Sequence, residues 1–284
     1  MRSRYINDHT HTNRQRTKQM PETIDRADGR RLFGSDPEAY DDARPDYPAW
    51  VFDTLESSGA LFRGASTIEI GPGTGLATRV LTRRGARPMT LVEPDARFAG
   101  LLQTAVGQVQ AHRLIQTTFE DADLPDDAYD LACAATSFHW VDPTAGLSKL
   151  RRVVRAGGTT ALFWNVFQDD HKRDHFHEAT EDLLKPLARS PSGAPNTLPY
   201  ALDRAAREAD ARRAGFQRIT YREGRWSFQL TPGGVRKLYQ SFSGIQRLDE
   251  RERTRILDEL VHIATTTFGG TIVRHVTTCL YQLS

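Results

Sequence analysis

The sequence predicts a doubly wound α/β sheet, mostly parallel, and three observations carry that reading. Short β-branched or apolar runs alternate with helical stretches from Thr67 to Asn165. A turn of alternate glycines, Gly71, Gly73 and Gly75, follows the first run, and a glutamate, Glu93, closes the second. Alternation at this spacing requires crossover connections, which make neighbouring strands parallel and place a ligand crevice at their carboxyl ends.

Thr67-Ile68-Glu69-Ile70 reads as the first strand and residues 76–84 as the helix behind the glycine turn. The second strand, 89–92, ends at Glu93-Pro94-Asp95, and Phe98, Leu101, Leu102 and Val106 then recur at near-helical spacing. A third strand is expected over 114–118 and a fourth over 129–136. A helix over 144–154 leads through Arg155-Ala156-Gly157-Gly158, read as a turn, into a buried fifth run at 159–165. Beyond Asn165 the regularity weakens. Residues 190–195 read as a loop, 202–214 as a helix and 216–230 as strand with a turn at Gly224. Helices broken near Gly244 are expected over 231–267, and a closing strand over 271–283.

Apolar residues make up 38% of the 284, about 45% with glycine, which supports a packed core and excludes global disorder. Lys and Arg nearly balance Asp and Glu at a formal charge of +2, so no uniform field awaits a polyanion or an anionic membrane. No run of about 18 apolar residues reads as a membrane span. Cys133 and Cys279 offer neither a disulfide framework nor a zinc spacing, which suits a cytoplasmic setting. Residues 1–30 begin with Arg2, Arg4, Arg14, Arg16 and Lys18 and show no apolar periodicity through 1–19, so a disordered basic tail is expected, with Met20 as an alternative start. Scattered charges without interleaved aromatics are a weak nucleic-acid footprint.

Three alternate glycines at a strand-to-helix junction allow a sharp turn and close approach of the backbone to a ligand. Glu93, about 20 residues beyond Gly71, stands where a carboxylate accepts both hydroxyls of a ribose. Together they predict a nucleoside site. The spacing is G-x-G-x-G rather than the G-x-G-x-x-G of dinucleotide enzymes, and no Tyr-x-x-x-Lys pair follows the fourth strand, which sets an NAD-dependent reductase behind other readings.

At these residues the chain resembles the class I S-adenosylmethionine-dependent methyltransferases. Residues 68–75 look like their first motif, and Val92-Glu93-Pro94-Asp95 like their second. Phe119-Glu120-Asp121, Tyr129-Asp130-Leu131, Ser137-Phe138-His139-Trp140 and Arg44-Pro45-Asp46-Tyr47-Pro48 are similar to the small-molecule, type 11 branch that includes trans-aconitate and quinone-pathway enzymes. The likeness covers roughly 33–165. It implies a seven-stranded Rossmann-like sheet, with a cofactor-binding core and N-terminal lid over 31–165, a helical cap carrying a sixth strand over 166–270, and a final core strand at 271–284. It implies S-adenosylmethionine as cofactor, held by Glu69, Gly71, Gly73, Gly75, Leu76, Glu93, Pro94 and Ala135, with Phe119 and Glu120 flanking adenine and Tyr40 and Arg44 from the lid.

Methyl transfer from a sulfonium is a displacement, so positioning the acceptor is the main requirement. His139, just beyond the fourth strand, is the candidate catalytic residue, either as a base or as an orienting group. Tyr47, Trp140, Tyr200, Trp226, Tyr239 and Phe242 are candidate acceptor contacts, although aromatic residues serve equally well as core. The expected acceptor is a planar heterocycle or aromatic hydroxyl of specialised metabolism, methylated on N or O. It ranks before a carboxylate because no arginine pair is evident. A non-catalytic RNA-binding protein is a further alternative. His171 and His175 have a ligand-like spacing, yet Lys172 and Arg173 between them favour a solvated helix, and no metal is expected.

Overall fold

The computed structural model describes residues 22–32, 41, 43–107, 112–192 and 198–284. Strands β1 (Thr67–Ile70), β2 (Met89–Val92), β3 (His112–Ile115), β4 (Tyr129–Ala135), β5 (Val154–Val166), β6 (Ile219–Leu230) and β7 (Ile272–Leu283) form one sheet in the order β3-β2-β1-β4-β5-β7-β6. The first five are parallel, whereas β7 lies antiparallel to both β5 and β6. The expected doubly wound, mostly parallel sheet is therefore the architecture. The order in which the strands are laid down reverses between β1 and β4, and a crevice opens there, beyond Ile70 and Ala135.

The helices are α1 (Arg26–Leu32), α2 (Ala49–Ser57), α3 (Leu76–Arg83), α4 (Ala99–Val106), α5 (Pro143–Val153), α6 (His175–Leu184), α7 (Arg204–Arg213), α8 (Pro232–Gln240), α9 (Ser243–Gln246) and α10 (Glu250–Thr266). Side-chain caps fix where the later ones begin. Asp142, Asp174, Asp203, Thr231 and Asp249 each accept the backbone N–H three residues on. On one sheet face Phe138, Leu147, Leu150, Trp164 and Tyr281 pack together, and on the other Phe52, Leu55, Leu81, Leu102 and Phe163. A third apolar cluster joins α6, α8 and α10 through Phe176, Leu238, Tyr239 and Leu260. Each such large side chain contributes about 1.5–3 kcal/mol by leaving water.

The structure departs from the sequence reading at several places. Residues 22–30, expected to belong to the tail, are ordered: Ile24 is buried, its N–H donates to the Arg189 carbonyl, Arg189 N–H donates to that of Glu22, and α1 begins at Arg26. This long-range anchor has no local periodicity to announce it. Gly224 is no turn but lies mid-strand in β6, where a Cβ would stand 2.8 Å from Trp50 Nε1, so glycine there admits the indole. The fifth strand begins at Val154 and absorbs the supposed turn at 155–158, with a register shift against β4. The third strand starts earlier, at His112, and ends at Ile115. Among the described residues no helix is long and apolar enough to cross a membrane.

Candidate active site

Beyond Ile70 the chain turns through Gly71, Gly73 and Gly75, whose φ values of 62°, 57° and 86° lie in the left-handed region that disfavours side chains. The three glycines serve two purposes. A Cβ on Gly71 would come within 2.8 Å of Ser137 Cβ, and one on Gly75 within 2.6 Å of Ala105 Cβ, so these two permit packing. A Cβ on Gly73 would meet nothing within 4 Å, because that residue faces an open cavity. Glu93, at the end of β2, locks the turn: its Oε2 accepts from Gly73 N at 3.0 Å and its Oε1 from Asp95 N at 3.0 Å. Burial pushes the Glu93 carboxyl up to about 7, against the lowering effect of those two backbone bonds.

The cavity, about 490 Å³, extends from this glycine end to an aromatic end formed by later parts of the chain. Gly71, Gly73, Leu76, Glu93, Pro94, Phe119, Glu120 and Ala135 of the expected cofactor set border it. Glu69 does not. It is fully buried behind the turn, where Oε2 accepts from Thr78 Oγ1 at 2.7 Å, and burial drives its pKa to about 7. Gly75 also faces away, toward α4. Tyr40 lies outside the described residues. Arg44 borders the cavity at its aromatic end rather than its glycine end, with its guanidinium carbon 4.7 Å from the Phe242 ring centroid and 5.6 Å from that of Phe167. Its Nε donates to Ser241 Oγ at 2.8 Å.

Glu120 sits under α1. Arg30 Nη2 donates to its Oε1 at 2.6 Å and also to the Trp140 carbonyl, while Glu120 Oε2 is buried without a protein partner among the described residues. Gly29 presses α1 onto the Trp140 ring so closely that no side chain fits between them. Arg30 was not legible as a site residue, because its partners lie about ninety and more positions away.

Of the acceptor candidates, Tyr47, Trp140, Tyr239 and Phe242 border the cavity, and Tyr200 and Trp226 do not. Tyr200 is held behind His139 by Arg207, whose guanidinium carbon is 3.6 Å from the ring centroid. Trp226 is committed to β7, donating from Nε1 to Thr278 Oγ1 at 2.8 Å. Tyr47 Oη donates to Thr136 Oγ1 at 2.7 Å. Thr136 itself has a φ of 54°, a strained backbone for a β-branched residue at the crevice.

His139 borders the cavity at 6% exposure, and Trp164 Nε1–H donates to its Nδ1 at 3.2 Å. An indole nitrogen only donates, so Nδ1 must present its lone pair and Nε2 carries the ring proton. Burial, reinforced by the charges of Arg44 and Arg26, lowers the His139 pKa to about 3. The residue is therefore a neutral N–H donor. The one lone pair of the neutral ring, on Nδ1, is engaged by the indole, so the arrangement favours the orienting role over the base.

His171 and His175 assemble no centre: His175 Nδ1 lies 3.5 Å from Glu178 Oε2, and Arg173 Nε donates to the same carboxylate. Among the described residues no group of three or more His, Cys, Asp or Glu gathers as a metal site.

A glycine turn over an open cavity, a buried acid at the end of β2 and the order β3-β2-β1-β4-β5-β7-β6 define the class as the Rossmann-like fold of class I methyltransferases. Residues 68–162 match the family model for the methyltransferase domain, and the chain is an S-adenosylmethionine-dependent methyltransferase. It is 28% identical over 265 residues to an uncharacterized methyltransferase of Mycobacterium tuberculosis, covering 91% of this chain and 98% of that protein. Among solved structures it resembles phosphoethanolamine N-methyltransferase 2 of Haemonchus contortus, with a TM-score of 0.54, 12% identity and coverage of 92% of this chain and 60% of that one. The [4+2]-cyclase SpnF is also similar, with a TM-score of 0.54, 14% identity and coverage of 92% and 98%. At such identities the likeness is one of fold.

The cavity fits the cofactor on its own features. Gly73 leaves room where a side chain would intrude. Glu93 keeps lone pairs beyond those its two backbone bonds use, and Glu120 Oε2 is a buried acceptor that lacks a donor.

Proposed function

We propose that this chain moves a methyl group to a nitrogen or oxygen of a small, flat acceptor seated at the aromatic end of the cavity. The observation that carries the reading is the single cavity that joins Gly73 and Glu93 to Tyr47, Trp140, Phe167 and Phe242. S-adenosylmethionine, when bound, supplies an electrophilic methyl group on a sulfonium centre.

The residues of the chain would hold and orient. Glu93 would accept the ribose hydroxyls, and the backbone at 71–73 would approach the ligand closely because Gly73 leaves the space open. Phe98 and Phe119 would wall the base, with Glu120 at its edge. His139 Nε2–H would donate to the acceptor and fix its orientation rather than take its proton. The acceptor must then bring its own lone pair, as an amine or an oxygen already ionised, and the charges of Arg44 and Arg26 beside His139 favour an anion there. Aromatic walls exclude water from the reacting atoms.

The test is calorimetry with S-adenosylhomocysteine followed by transfer of labelled methyl groups to a panel of small aromatic, heterocyclic and acidic metabolites, with protein and RNA as control acceptors. Label on a small molecule supports the reading. Label on protein or RNA alone overturns it.

A further inference from the structure

Arg274 is 2% exposed on β7, yet its side chain borders the cavity. Its Nε donates to Asp174 Oδ2 at 2.7 Å, and its Nη1 donates to Tyr239 Oη. Asp174 Oδ1 in turn accepts from His177 N at the start of α6, so the carboxylate is fixed from both sides. These bonds set the plane of the guanidinium and leave Nη2. Among the described residues no protein atom accepts from Nη2, and it is not one of the unpartnered polar atoms sealed from open space. Two N–H donors of a nearly buried cation that borders the cavity therefore have no protein acceptor among the described residues.

Apart from Asp174, the charged side chains near them are arginines. The Arg274 guanidinium carbon lies 5.9 Å from the Phe167 ring centroid, the same ring that Arg44 approaches to 5.6 Å. Arg189 also borders the cavity. Among the described residues, the only glutamates bordering the cavity are at its other end: Glu93 is bound to the glycine turn, and Glu120 to Arg30. Asp174 stands behind Arg274, and Asp169 is paired with Arg225, 3.3 Å away. A guanidinium in an apolar, water-poor site is costly unless its remaining donors are met, and a planar oxyanion meets them best.

We infer that the acceptor carries an oxyanion group, a carboxylate or a phosphate, which docks on Arg274 Nη2 at the aromatic end of the cavity. The inference rests on the small-acceptor reading above and specifies its substrate class. The docked oxygen is the anchor and not the nucleophile, because a guanidinium bound to the reacting oxygen would hold its lone pair back.

The test uses the full chain saturated with S-adenosylhomocysteine, titrated with benzoate, phenyl phosphate and neutral benzamide. One of the two anions is expected to bind at least tenfold more tightly than benzamide, and which of them does so names the group. Arg274→Met should abolish that preference while leaving the affinity for S-adenosylhomocysteine within about twofold. Because Arg274→Met strands the Asp174 carboxylate, Arg274→Lys serves as the second variant: it keeps the charge, loses the planar fork and should lose severalfold in anion affinity. Equal binding of benzamide and both anions, no binding of either anion, or an anion preference unchanged in both folded variants would overturn the proposal. Failure of the parent chain to bind S-adenosylhomocysteine would remove the reading beneath it, a distinct result seen before any acceptor is added.

Discussion

The glycine end of the cavity is made of backbone at the tips of β1 and β2, braced by one carboxylate that accepts two N–H bonds within its own neighbourhood. The aromatic end is made of side chains that arrive from Arg44, Tyr47, Phe167, Tyr239, Phe242 and Arg274, spread over most of the chain. The first depends on local conformation, so a handful of neighbouring residues specify it. The second depends on tertiary packing, and substitutions there leave the glycine turn untouched. The two ends should therefore fail separately, and this separation can be broken or sharpened by experiment.

The largest effect is expected at the glycine end. Glu93→Ala removes hydrogen bonds to a charged group and should weaken S-adenosylhomocysteine binding by about 1.5–3 kcal/mol in calorimetry, with little change in acceptor KM. A variant that binds as the parent does would undo the assignment of that end.

The next effect is on pH. Burial raises the Glu93 carboxyl to about 7, so between pH 6 and 8 it passes from mostly protonated to mostly ionised. Only the ionised form accepts at both oxygens, so cofactor affinity should rise roughly tenfold over that interval and stay flat in Glu93→Gln. The ligand-free fold responds in the opposite direction. A carboxyl whose folded pKa exceeds its unfolded value stabilises least when ionised, so Glu69 and Glu93 both cost stability as pH climbs from about 4.5 through 7.

A smaller change is expected for His139→Ala. Losing a neutral hydrogen bond of about 0.5–1.5 kcal/mol should lower kcat/KM severalfold without moving the pH profile. Loss of a titrating limb near pH 6–7 would restore the base. The smallest effect is at Trp226. Since its indole is committed to Thr278 outside the cavity, Trp226→Phe should leave both ligand affinities within about twofold, and a large rise in acceptor KM would show the aromatic end to be drawn too narrowly.

This division also accounts for what could be read from the sequence. The sheet and the glycine turn were legible because short continuous apolar runs, left-handed glycines and the strand-end acid are local requirements. Glu69 looked like a site residue because it precedes Ile70, which borders the cavity, but adjacent residues of a strand point to opposite faces, and Glu69 turns to Thr78. Trp226 and Tyr200 drew notice as aromatics, whereas Arg274 escaped it. The signal for Arg274 was nevertheless present: it stands in phase with Ile272 and Val276, between exposed Val273 and partly exposed His275, so a cation occupies the buried face of a strand. The state of His139 was not legible at all, since Trp164, from the next strand, decides which nitrogen bears the proton.

The pairing of β6 with β7 has a consequence for how such enzymes diversify. Leu230 and Ile272 are direct partners at the end of a ladder that runs unbroken through both strands. All of α8, α9 and α10 leave the sheet at one rung and return at the same rung, bringing Tyr239, Phe242 and Ser243 to the cavity as one cassette. A gene could exchange that cassette, or lengthen it, without disturbing a single backbone bond of the sheet. New acceptors would then be gained by swapping a closed loop of helices onto an unchanged cofactor engine.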